Sequence, residues 1–278
     1  MSAVEEDPYA GLEDELTTLA AAIEDYTSSL EADVKAARID AGIKTGSPNP
    51  LTNSPQWIAA RSRLEAALSA VEHSLVETGL EQGIALLPSA AAPALSARVG
   101  ELASEFGRQL AVDLAEGIDA VTRAGIRQSI GRAAQEYVGN QSLKTLRRLR
   151  EEIRSVIGLT PKQAARVEAW RAGASASSLT PEQVSAGVAE RAAAGKALRA
   201  QAIADRGLIE SVSFGRHQSW LEAKKTGSIP PTAKKVWRTQ GDGRVRPLHR
   251  AQAAVGPIPL EALFQIMKVQ HPPSLDYG

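Results

Sequence analysis

Apolar residues recur at three- and four-residue intervals from Leu12 to Leu221, and that period commits most of this 278-residue chain to helix. The first seam runs Leu12, Leu16, Leu19, Ile23, Tyr26, Leu30 and Val34, close to a heptad repeat and flanked by Glu and Asp. Thr45 to Pro55 is a polar break containing Gly46, Pro48 and Pro50. Ser54-Pro55 then reads as N-cap and first helical residue of a helix carrying Trp57, Leu64, Leu68, Val71 and Leu75. The spacing predicts a helical hairpin whose seams close on each other or on a neighbouring protein.

Pro88 to Pro93 is a break or linker, and Leu95 to about Val138 is helical again. Gly107, Gly117, Gly125 and Gly131 fall inside that helix; each costs about 1 kcal/mol against alanine and marks either a close helix contact or a break. Ser142 to Ile157 is a basic amphipathic helix with Leu143, Leu146, Leu149 and Ile153 on one face. Two copies of Leu-Thr-Pro-x-Gln follow, at Leu159–Gln163 and Leu179–Gln183. In each, Thr caps, Pro takes the first helical position and Gln reaches back to complete a capping box. The first opens a short helix through Trp170, ended by Gly173. The second opens an Ala-rich helix through about Ala204, and a further amphipathic segment runs to Lys225, stopped by Gly227 and Pro230-Pro231.

Lys234 to Phe264 alone has strand and turn chemistry. Lys235 to Thr239 alternates polar and apolar with β-favouring residues, Gln240-Gly241-Asp242-Gly243 is a turn, and Arg244-Val245-Arg246 returns as a second short strand. Pro247 and Gly256-Pro257-Ile258-Pro259 exclude a continuing helix. The stretch reads as a small β-hairpin on a helical body.

Composition narrows the class. The chain has no cysteine, so disulfides and thiolate metal sites are excluded. The charge-free stretch Gly83 to Ala97 is too short to span a bilayer, and the first residues are acidic where a signal peptide is basic. The expectation is a soluble protein made in the cytoplasm. Charge is uneven: residues 1–50 hold 11 acids against 3 bases, and Arg216 to Arg250 hold 9 Lys or Arg against 2 acids. That asymmetry fits two surfaces with different partners, or two solvated faces.

Asp242, Arg246 and His249 are the residues that could support a metal-dependent nuclease, with His249 activating water. No second carboxylate or His stands at metal-ligand spacing, and no nucleotide-binding or nucleophile motif is present, so no cofactor or metal is expected. A structural role accounts for the same residues: Asp242 holds the turn, Arg246 pairs with it, and His249 bonds a backbone carbonyl. Lys224, Lys225, Lys234, Lys235, Arg238, Arg244 and Arg250 suit non-specific phosphate contact, or form a solvated basic face.

The order Trp237-x-Thr239, Asp242-x-x-Val245-Arg246, His249, Gly256, Phe264 resembles the signature of the phage head morphogenesis family, the minor head proteins similar to the F protein of phage Mu. Upstream it extends through Ile157-Gly158-Leu159-Thr160-Pro161, Arg199-Ala200-x-x-Ile203-Ala204, Gly215, Trp220 and Gly227, covering roughly residues 120 to 270. Two features depart from the family pattern. Asp205-Arg206-Gly207 stands where Arg-Thr-Glu is usual. There is also no Cys-x-Cys before the chain stops abruptly at Tyr277-Gly278, which reads as a truncated product.

Together these readings predict a mainly α protein, an extended helical bundle with a small C-terminal α+β element. The expected divisions are an N-terminal helical hairpin over 1–90, a helical middle region over 91–157 and a head morphogenesis domain over 158–278. The resemblance implies a non-enzymatic virion component inside the phage head, associated with the portal protein and the capsid interior, touching packaged double-stranded DNA and no membrane. A nuclease or toxin-like enzyme centred on His249 and a non-specific DNA-binding adaptor are the alternatives. Leu16, Ile23 and Leu30, on the first seam, are the candidate partner-binding residues.

Overall fold

The computed structural model describes residues 9–88, 92–236, 247–262 and 264. They are mainly helical, with a small antiparallel β element near the C-terminus, as the apolar period predicts. The helices are α1 (Glu13–Asp33), α2 (Ala36–Thr45), α3 (Asn49–Thr52), α4 (Pro55–Ala85), α5 (Ala92–Ser96), α6 (Val99–Gly139), α7 (Leu143–Val156), α8 (Pro161–Ser175), α9 (Pro181–Lys225) and α10 (Pro247–Ala254). Strand β1 (Lys234–Lys235) pairs with β2 (Ile258–Pro259), Lys234 opposite Pro259 and Lys235 opposite Ile258.

Local chemistry sets the helix starts. The Ser54 hydroxyl accepts from the Trp57 amide at 3.2 Å, opening α4. Both capping boxes form. Thr160 and Gln163 bond reciprocally at 3.1 and 3.2 Å, and Thr180 and Gln183 do so at 2.9 and 3.3 Å. Each box satisfies two backbone donors that a helix start leaves unpaired.

Three expectations need correction. First, the segment read as a polar break, Thr45 to Pro55, holds the short helix α3 with Leu51 and Thr52 buried, and a further helix precedes it. Val34 and Lys35 take extended conformations that end α1, and α2 follows at once, because Ile39 and Ile43 must be buried. Second, α9 runs unbroken through Gly207. Ile203, Ala204, Leu208 and Val212 are buried there, and their packing outweighs the roughly 1 kcal/mol cost of one helical glycine. Third, Pro247 starts a helix, since its ring fits the first helical position and its missing N–H is not needed there. The strand that meets β1 among the described residues comes from Ile258–Pro259. The expected turn at 240–243 and the return strand at 244–246 lie outside the described residues.

Packing divides the chain into two compact units, the first from Gly11–Val71 and Leu110–Leu208, the second chiefly from Glu72–Gln109 and Ile209–Leu275. In the first, Leu19, Ile23, Tyr26, Leu30 and Trp57 are buried around a polar centre at Asp119. The Asp119 carboxylate accepts from the Tyr26 hydroxyl at 2.8 Å, the Trp57 indole at 2.6 Å and Arg123 Nε at 2.6 Å. Burying a carboxylate is expensive unless donors surround it, and here three do. Burial, with the adjoining Asp119 charge, pushes the Tyr26 phenol far above its usual range.

In the second unit, α4 and α9 approach backbone to backbone. A Cβ added at Gly79 would fall on the Val212 carbonyl, and one at Gly215 on the Val76 carbonyl. Phe106 and Phe214 pack edge to face with centroids 5.5 Å apart, and Arg98 meets Glu222 at 3.0 Å. Among the glycines of α6, Gly107 and Gly125 mark close contacts: added Cβ atoms would crowd the His73 amide and the Leu159 carbonyl. Around Gly131 there is open space.

Candidate functional site

Several described residues of the ordered signature sit at left-handed turns, close backbone approaches or hydrogen bonds to the backbone. Between α7 and α8, Gly158 takes a φ of +88°, and a side chain there would strike Thr27. Its carbonyl accepts from Arg199 at 2.6 Å. The same buried guanidinium donates to the Thr122 hydroxyl and the Ile118 carbonyl, both at 3.0 Å. Gln163 adds a bond from its side-chain amide to the Gly195 carbonyl at 3.0 Å, holding the start of α8 on α9. Two signature segments separated in sequence, Ile157–Pro161 and Arg199–Ala204, therefore meet in one buried joint. In the second unit the Trp220 indole donates to the Gly83 carbonyl at 3.1 Å. Gly227 and Gly256 take φ values of +73° and +77°.

The C-terminal basic face is built on the end of α9 and the β element. His217 Nε2 stands 2.8 Å from the Leu260 carbonyl, which can only accept, so that nitrogen carries the proton. Lys235 Nζ lies 3.3 Å from the same nitrogen and 5.2 Å from the Phe264 ring centroid. Two donors facing each other make an unfavourable pair. Burial first, and the Lys235 charge next, hold the imidazole below its ordinary range, against the pull of the Leu260 bond. Burial likewise lowers Lys235, opposed by Glu261. Lys224 bonds Glu261 at 2.6 Å and lowers that carboxyl.

Of the candidate phosphate contacts, Lys225 and Lys234 point outward. Lys225 is 74% exposed despite a 3.3 Å approach to Glu222, a contact of little weight at such exposure. Arg250 is exposed on α10, whereas Lys224 and Lys235 are engaged as described. Arg238 and Arg244 lie outside the described residues, as do Trp237, Asp242 and Arg246 of the signature. His249 is half-buried in the first turn of α10, so it stands on a helix. Phe264 is half-buried beside Lys235.

The first seam is corrected more sharply. Ile23 and Leu30 are each 1% exposed, packed inside the chain with Leu19 and Tyr26, and only Leu16 keeps intermediate exposure. Heptad-like spacing reports that a stripe is covered; here the chain's own side chains cover Ile23 and Leu30.

Sequence reasoning passed over Asp119 and Glu72. Both occupy buried stripes of their helices, Asp119 beside Ile118 and Thr122, Glu72 beside Val71 and Leu75. A charge falling on an apolar stripe was the signal that could have found them. Glu72 accepts from the Ser211 hydroxyl, and burial pushes its carboxyl from 4.5 up to about 7.

Among the described residues no cluster of His, Asp and Glu is arranged to hold a metal ion, and no helix is long and apolar enough to cross a membrane. Comparison with protein-family models, with curated proteins and with solved structures returned no match to this chain.

Proposed function

We propose that this chain is a non-enzymatic minor head protein of the phage head morphogenesis type. In this reading it is a structural virion component inside the capsid, recruited by the portal protein and touching packaged DNA without reading its sequence. The observation that carries the reading is the joint between Arg199 and Gly158, which fastens two segments of the ordered signature to each other. Gly215, Trp220, Gly227 and Gly256, further members of the same order, each sit at a close backbone approach, a backbone hydrogen bond or a left-handed turn. Backbone-shaping residues at these positions fit a protein that must hold one shape within an assembly. Outward-facing Lys225 and Lys234 fit phosphate contact that is indifferent to base sequence.

Mass spectrometry of purified particles tests the reading directly: the chain should be present, and should co-purify with the portal from dissociated heads. Its absence from particles would end the proposal. Incubation of the pure chain with DNA and Mg²⁺ or Mn²⁺ should leave the DNA intact, and metal-dependent cleavage would move the assignment to the nuclease alternative.

A further inference from the structure

The end of α9 grips the β element at two adjacent residues. His217 Nε2 donates to the Leu260 carbonyl at 2.8 Å, and two helical turns on, Lys224 meets Glu261 at 2.6 Å. Leu260 itself is buried.

One cation sits at odds with this arrangement. Lys235, on β1, brings its ammonium 3.3 Å from the nitrogen that already donates to Leu260, which therefore offers it no lone pair. The Glu261 charge and the face of the Phe264 ring, its centroid 5.2 Å from Nζ, are what hold Lys235 there.

A proton on His217 Nδ1 would set a second full charge against the ammonium. Among the described residues, the charges acting on His217 are Lys235 from β1 and Glu261 from the segment after β2, the latter held by Lys224 of α9. Burial first, and Lys235 next, keep the imidazole below its ordinary 6.5, against the pull of the Leu260 bond and Glu261. The folded chain thus favours the neutral ring. Its arrangement is complete above pH 6.5 and is lost as pH falls below that value.

Of the two groups at Nε2, the ammonium is the one that yields. A charged imidazole is a stronger donor to the Leu260 carbonyl, so that bond tightens. Lys235 is half-buried on a flexible four-carbon stem, and acid cannot discharge it, so it relieves the repulsion by turning to water.

We propose that His217 and Lys235 form an acid-operated release, in which protonation of His217 expels the Lys235 ammonium into solvent to join Lys225 and Lys234 on the outward basic face. The consequence for DNA rests on the phosphate contacts proposed above; the release itself does not.

NMR of the full chain with carbon-13-labelled Lys and His reads the release without DNA. Near pH 7.5 the Lys235 Hε protons, beside the Phe264 ring, should be displaced from ordinary lysine positions. On acidification to about pH 5 they should return, with the midpoint at which His217 titrates. His217→Gln, whose amide can still donate to Leu260, should keep Lys235 displaced throughout, and Lys235→Met should raise the His217 midpoint. Lys235 signals that stay still, or that move equally in His217→Gln, overturn the proposal, as does a His217 midpoint indifferent to Lys235→Met. With duplex DNA, the slope of log K against log salt should steepen by about 1 more in the natural chain than in Lys235→Gln over the same pH range. Equal steepening in both overturns the proposal. Release seen by NMR with no DNA binding at either pH upholds the release and ends the DNA contact instead.

Discussion

The guanidinium of Arg199 and the carbonyl of Gly158 are joined by a 2.6 Å hydrogen bond across 41 residues of sequence, inside a unit where Arg199 is only 3% exposed. The left-handed turn at Gly158 presents that carbonyl inward, and α9 brings the arginine to it. Replacing Arg199 with Met keeps the apolar stem but leaves the Gly158 carbonyl and the Thr122 hydroxyl short of a donor. Arg199→Met is expected to cost about 2–4 kcal/mol, read as a lower urea midpoint at unchanged slope. Arg199→Lys should recover less than half of that loss, since one ammonium cannot reproduce the fork that spans Thr122, Gly158 and Ile118.

Glu72 makes stability depend on pH. Burial raises its carboxyl from 4.5 to about 7, with the Glu210 charge adding to the rise and the Ser211 bond opposing it. The folded-state value lies above the unfolded one, so the fold favours the protonated acid. The contribution is complete below about pH 4.5, falls as pH rises to 7, and is constant above. The shift corresponds to about 3 kcal/mol. Glu72→Gln should therefore match the natural chain near pH 4.5 and exceed its stability by about that amount at pH 8. A gap between the two chains that does not change with pH, in paired urea titrations, would contradict the assignment.

Two glycines should respond to alanine in opposite directions. At Gly215 the added Cβ meets the Val76 carbonyl and lies 3.0 Å from the Leu80 amide nitrogen, both backbone atoms that yield only if α4 and α9 separate. Gly215→Ala is expected to lose about 1–3 kcal/mol through overpacking. At Gly131 no atom lies within 4 Å of the added Cβ, so Gly131→Ala should gain up to about 1 kcal/mol through helix propensity. Thermal melts of the two variants on either side of the parent would verify the pair.

What the sequence made legible was local. Thr160 and Thr180 carry their partners three residues away, so their capping boxes could be read before any contact was known. The seam through Leu19, Ile23, Tyr26 and Leu30 was equally plain, but periodicity says that a stripe is covered and not by what. The continuity of α9 through Gly207 and the use of Pro247 to open α10 were illegible for a related reason. Glycine and proline read as breakers until the burial of Ile203, Ala204 and Leu208, or the first-turn position, is known. The polar centre at Asp119 joins α1, α4 and α6 at separations of 93 and 62 residues, a distance over which one sequence holds no pairing signal.

The basic face offers the last test. Counterion release makes log K for DNA fall against log salt with a slope near −0.9 for each phosphate neutralised. Lys225 and Lys234 face outward and should each contribute, whereas Lys224 is held by Glu261 and Lys235 lies beside His217 and Phe264. The full chain is expected to bind duplex DNA weakly, with a slope of about −4 and no preference among sequences. Lys225→Gln with Lys234→Gln should flatten that slope by about 2. Lys224→Gln with Lys235→Gln should leave it nearly unchanged, because cations already engaged within the chain release few counterions on binding. Fluorescence anisotropy of a labelled duplex between 50 and 200 mM NaCl, a range over which about four phosphate contacts change affinity more than a hundredfold, resolves the difference. Binding insensitive to salt, or equal slopes for the two double variants, would remove this face from any role in holding DNA.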